Sequence, residues 1–518
     1  MVDRYKNYLN FVTPSIITVK ISFLLSIILL CSLSVIYGQA NVDTLGFEPA
    51  PNTAEKEALL DLLQKEYNKQ LDLLADEEVT SQQRSVLRKA YSERYSAGKS
   101  LIKSDKAILS GPLYDSVNII FTTILNANPE LDQSSKLVLF RHRVFNAFTL
   151  GDNIIFVNIG LLARLSNREQ LALVIAHELS HNLRKHSQYK ILTNVLRQTD
   201  EQLNDEINRI QRQEYGQVTA LNELLLPSIY AEREQSRQHE FEADSLGLVY
   251  YREAGYSPVL AFNLFEIMQA ADHLYETELL PVFSLLKIDS LGGIAQRHKR
   301  YSPVSSLGTF ANEEDEYEPY LRSHPYEAER TNALLRQLGV DEIDTLVPID
   351  TAYLRMRYLA DGEMVHSSVA DGNFSEGIYF ALRMQQHYPQ DLYPKSALAC
   401  MFNLLSFYKT TRTAGKHIEL QNPKNDEAAD RLNYLLQLLN PQESQQIGQT
   451  LRNEIPPAYQ NILIELSDLT TAFIAKDFDS YLLRRDALLP QVLKTPFAAY
   501  LEDLQEKYYQ QKHIIKNK

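Results

Sequence analysis

The stretch from Glu169 to His181 confines the fold more than any other. Leu171, Leu173, Val174 and Ile175 run straight into His177-Glu178-Leu179-Ser180-His181. A segment this apolar should be buried, and burying two imidazoles and a carboxylate is costly unless they are paired or bind a metal. A helix offers the solution. Four residues apart, His177 and His181 stack on one face, one turn from each other. Two ring nitrogens can then reach a single ion at about 2.0–2.1 Å, the distance zinc requires. Glu178 lies about 100 degrees round the helix from His177. From there its carboxylate can take a proton from a zinc-acidified water as that water attacks a carbonyl. The motif therefore offers two metal ligands and a general base.

A catalytic zinc needs a third protein ligand and one open position. His186 lies nine residues from His177, so a continuous helix would carry it to the opposite side. Spacing alone leaves His239 open. Glu240, within His239-Glu240-Phe241-Glu242-Ala243-Asp244, is the better candidate. Asp244 sits one turn beyond it and could accept the second ring N–H of a ligand histidine, fixing its tautomer. Glu242 is expected to face solvent.

Around this motif the chain is long enough, at 518 residues, for two or three domains. Its 52 basic and 66 acidic residues give a net charge of -14. Nucleic-acid binding is driven by neutralising phosphates with Lys and Arg, so this balance argues against it. Arg4, Lys6 and Lys20 precede an unbroken apolar run, Ile21 to Ile36, followed by Gly38 and Ala40. That order reads as a secretory signal. A membrane span needs about 20 apolar residues, so retention as a single anchor is the lesser reading. Lipid attachment at Cys31 is disfavoured by the bulky Leu30 before it. Loss of the signal would leave Cys400 as a lone thiol, which excludes an internal disulfide and a cysteine zinc site.

The expected architecture is α+β and mostly helical. Residues 1–40 read as the signal, with 41–52 as a linker. Residues 41–109 form an N-terminal segment that is helical from Thr53, with Asn52 and Glu55 as a capping box. Residues 110–345 hold the site, a helix over 116–126 and strands at Leu137–Phe140 and Ile154–Val157, with a turn at Gly151-Asp152-Asn153. A helix from Gln235 to Arg252 closes at Gly255 and Pro258. Residues 346–518 read as helices only. Gly372-Asn373-Phe374 and the weaker echo Lys476-Asp477-Phe478 suggest stacked helix pairs of the tetratricopeptide kind.

These residues together resemble the M48 peptidases, whose pattern is HExxH followed by ExxxD on a later helix. The resemblance rests on Ile175 to His181 and Glu240 to Asp244. It extends to Asn146-Ala147-Phe148, to Gly160-Leu161-Leu162 and to Ser323-His324-Pro325 with Arg330. One departure is Ser180, where that family usually has Gly. The resemblance implies a zincin-type domain with a small sheet, binding one zinc per chain through His177, His181 and Glu240. Glu178 would be the base and Asp244 the group behind the ligands. Asn146, Ala147 and Phe148 would form the edge strand on which a peptide lies. His324 would donate to the oxyanion. The layout implies an endopeptidase of the cell envelope, in the periplasm of a Gram-negative bacterium, acting on misfolded or misassembled exported proteins. The helical tail would hold polypeptide clients or envelope assembly machinery. The competing reading is a chaperone or scaffold whose zinc site is latent, occluded by the acidic loop 311–318 or by His324.

Overall fold

The computed structural model describes residues 47–50, 55–76, 78–270, 280–288, 293–294, 297, 326–343, 350–420 and 427–516. The apolar run 21–36, the Asn52–Glu55 cap, the loop 311–318 and Ser323-His324-Pro325 lie wholly or partly outside those residues. No helix among the described residues is long and apolar enough to cross a membrane.

Two helices, α1 (Lys56–Asp76) and α2 (Ser81–Lys103), lead into a four-stranded sheet. The sheet comprises β1 (Ala107–Ile108), β2 (Lys136–Phe140), β3 (Ala147–Thr149) and β4 (Ile154–Asn158), in the order β1-β2-β4-β3. Only β2 and β4 run parallel; β1 and β3 are antiparallel edges. Side chains alternate between its faces, as the strand period requires. Leu137, Leu139, Ile155 and Val157 join the main core, whereas Val138, Ile154 and Phe156 pack against α1 and α2. Every residue of β4 is buried, which is why the strand reads as an unbroken apolar run. β1 corrects the expectation of helix up to Leu109. The turn Gly151-Asp152-Asn153 joins β3 to β4, since the strands on which that signal was read are parallel.

The main core is built by α3 (Pro112–Ala127), the short α4 (Ile159–Leu162) and α5 (Arg168–Leu183). Asn167 caps α5 by accepting from the Gln170 N–H. Next come α6 (His186–Gln198), α7 (Glu201–Gln211) and α8 (Gln217–Glu253). α8 corrects the helix expected at Gln235–Arg252: it begins eighteen residues earlier and runs through Pro227. The residue whose carbonyl loses its partner to that proline, Glu223, is exposed, so water can take the bond. The C-terminal end of α8 is as read, with Gly255 at φ 85 and a 3-10 turn at Pro258–Leu260. α9 (Leu264–Ala270), α10 (Val282–Leu285) and α11 (Glu327–Leu338) complete this half.

The tail carries α12 (Thr351–Ala370), α13 (Phe374–His387), α14 (Leu392–Thr410), α15 (Glu427–Leu438), α16 (Pro441–Asn453), α17 (Ile462–Ile474), α18 (Phe478–Val492) and α19 (Ala498–Lys516). α14 is buried almost all round and packs against α12, α13, α16 and α17. The two echoing turns share one chemistry. Gly372 and Lys476 have φ of 73 and 59, and the next residue, Asn373 or Asp477, caps the following helix. One hydrophobic cluster runs from the sheet into the tail. Across that junction Arg141 Nε meets Glu363 Oε2 at 2.6 Å, both buried, and the Tyr353 hydroxyl donates to the Leu162 carbonyl at 2.9 Å. Residues Phe47 to Ala50 correct part of the linker reading. Phe47 is buried against Tyr393, ring centroids 4.5 Å apart, and Ala50 N–H donates to Glu363.

Candidate active site

Two helices and one strand build the site. α5 supplies His177, Glu178 and His181, and α8 crosses it where Gly247 stands. A Cβ on Gly247 would lie 3.0 Å from the His177 nitrogen and 3.1 Å from its Cα. Only glycine lets the helix axes come so close. One turn back along α8 lies Asp244, and one turn further Glu240, both therefore facing α5. The third boundary is β3. Its inner edge pairs with β4 while its outer edge borders the cleft.

His177 Nε2 and His181 Nε2 face each other at 2.9 Å, and Glu240 oxygens stand 3.6 Å from each. The ligand atoms of all three lie within 4.8 Å of one another. Among the described residues this is the one such group. Two nitrogens and a carboxylate oxygen converging at the wall of an open cleft fit zinc with a free position. Glu178 lines the same cleft. His239 does not join the cluster; its ring stacks on His186 at 4.2 Å.

Behind His177, Nδ1 lies 2.8 Å from Asp244 Oδ1, short in distance without the straight alignment of an ordinary hydrogen bond. Arg330 grips both Asp244 oxygens, Nε and Nη2 each at 2.7 Å. Burial pushes Asp244 up, but Arg330 outweighs it and holds the carboxyl at about 2. Burial likewise pushes His177 down, and Asp244 reverses that to a net rise. The same pull makes Nε2 a more basic ligand for a cation. His181 is driven down to about 3 by burial and then by the neighbouring His177.

Behind His181 the structure departs from the sequence reading. α5 ends at Leu183, and Lys185, at φ 57, reverses the chain. His186 therefore opens a new helix and returns toward His181. The two Nδ1 atoms lie 2.8 Å apart, and His186 Nε2 is 3.1 Å from Glu242 Oε2. The expectation that His186 points away is thus corrected; Glu242 is half-exposed, in keeping with the solvated reading, and pairs with Arg184 at 2.9 Å. No signal at Lys185 announces the break, because lysine is a good helix former. Arg330 was matched by resemblance without a role; its clamp on Asp244 depends on α11, which no local pattern ties to α8. Ser180 is buried, with its hydroxyl donating to the Ala176 carbonyl.

The cleft, about 430 Å³, has an apolar wall that includes Leu173, Val174, Phe265 and Met268. Asn146 is exposed at its rim and Ala147 is buried against the main core. The Phe148 ring stacks on Phe156, 5.0 Å away, and packs among the side chains on the α1–α2 face of the sheet. Residues 119–338 match the family model described as Peptidase family M48. No curated protein matches the chain.

Proposed function

By its residues 119–338 this chain is a metalloprotease of peptidase family M48, and from that premise we propose that it is a zinc endopeptidase acting at its α5–α8 cleft. The observation that carries the reading is the convergence of His177, His181 and Glu240 beside Glu178. Zinc held by those three would act as a Lewis acid toward water and the scissile carbonyl. Glu178 takes the proton of the attacking water at its carboxylate and can return it to the leaving amine. The free edge of β3, from Asn146 to Phe148, pairs with an extended peptide and holds its backbone across the cleft. Such pairing reads main chain rather than sequence, so many polypeptides fit. His324 is assigned as the donor to the oxyanion. We assign the protein to the cell envelope, with misfolded exported proteins as substrates. That rests on the Ile21–Ile36 run and on a helical tail suited to holding clients.

The test is zinc content and casein hydrolysis in the Glu178→Gln form. Zinc should stay while hydrolysis falls by about 10²–10⁴-fold, the range for losing a general base. Full hydrolysis would sink the mechanism. Proteins captured by that form in its native envelope should be exported polypeptides; a purely cytoplasmic set would refute the location.

A further inference from the structure

We propose that His186 is a positioning residue which, with Glu242 and Arg184, fixes His181 with its Nε2 lone pair toward the metal position. This rests on the reading that His177, His181 and Glu240 hold zinc. The argument follows the hydrogens. Arg184 Nε lies 2.9 Å from Glu242 Oε1 and keeps that carboxylate in place. An ionised carboxylate can only accept, so His186 Nε2, 3.1 Å away, carries a hydrogen and donates it. In a neutral ring the other nitrogen, Nδ1, then has only a lone pair. It faces His181 Nδ1 at 2.8 Å, which must donate. With its hydrogen on Nδ1, His181 presents a lone pair at Nε2, on the side of His177 Nε2 and Glu240. The chain of bonds has one direction, set by a carboxylate at one end and a cation at the other.

The ring of His186 is held as well as bonded. It is buried, and its face stacks on His239 at 4.2 Å with 9° between planes. Tyr189 meets His239 edge-on from outside. A bland alternative is that His186 merely fills this stack. The two roles call for different replacements. Phenylalanine keeps the ring and loses the acceptor. Glutamine loses the ring but offers an amide oxygen to His181 and an amide N–H to Glu242.

The experiment measures zinc affinity by chelator competition on the full chain, with the visible spectrum of the cobalt-loaded protein as a second readout. His186→Phe should bind zinc about 10–100-fold more weakly, the usual cost of losing a partner behind a ligand. His186→Gln should recover to within a few-fold of the parent. Glu242→Ala, at a half-exposed position, should weaken zinc in the same direction with little risk to folding, and it decides the matter where His186→Phe does not fold. The proposal is overturned if folded His186→Phe and Glu242→Ala both bind as tightly as the parent. It is equally overturned if phenylalanine preserves affinity and glutamine does not. A parent that binds no zinc overturns the functional reading, and this one with it.

Discussion

His177 and His181 belong to one five-residue motif, yet the protein braces them in opposite ways. Behind His177 stands a buried charged pair: the side chains of Asp244 and Arg330 are 5% and 7% exposed. Behind His181 stands a neutral ring, and the charges come one layer later on Glu242 and Arg184, which are 42% and 48% exposed. A buried ion pair is intolerant, because removing one partner strands the other charge in a poor solvent. An exposed pair is forgiving, because water replaces whichever partner leaves. The first brace therefore ties the metal site to the stability of the whole fold. The second tunes one ligand without holding the fold together.

Substitutions can break or sharpen that contrast. The largest effect belongs to Asp244→Ala, which leaves Arg330 buried without its carboxylate. Denaturant unfolding should show a loss of about 3–5 kcal/mol, together with loss of zinc. An unchanged midpoint would mean the brace behind His177 is no more structural than the other. Gly247→Ala comes next. Its new methyl presses on the His177 backbone and drives α8 away from α5, costing about 1–3 kcal/mol by thermal unfolding. Zinc content should fall with it, since Glu240 and Asp244 ride on α8. Glu242→Ala should cost less than about 1 kcal/mol while still weakening zinc; a loss as large as that of Asp244→Ala would erase the contrast. Arg184→Ala should be smallest, within about 0.5 kcal/mol of the parent.

Much of this was legible in the residues themselves. The apolar runs Leu137–Phe140 and Ile154–Val157 announced strands. Glu240 and Asp244 could be paired because one helical turn separates them. The two-residue β1 was not legible, since its pairing with β2 is a tertiary event. The length of α8 was hidden by Pro227, a breaker that exposed backbone tolerates. His186 was misread because the helix was extended past Leu183, where a left-handed Lys185 turns the chain.

The sequence by itself determined which atoms can bind a metal, because ligand identity and i,i+4 spacing are local properties. It also determined which strands are buried, because a short unbroken apolar run is a local property too. Only the tertiary structure decided how the two histidines are backed. Asp244, Arg330, His186 and Glu242 come from α8, α11 and α6, and their meeting depends on helix crossings such as the close contact at Gly247. Those crossings are set by packing across the core, which no window of sequence contains.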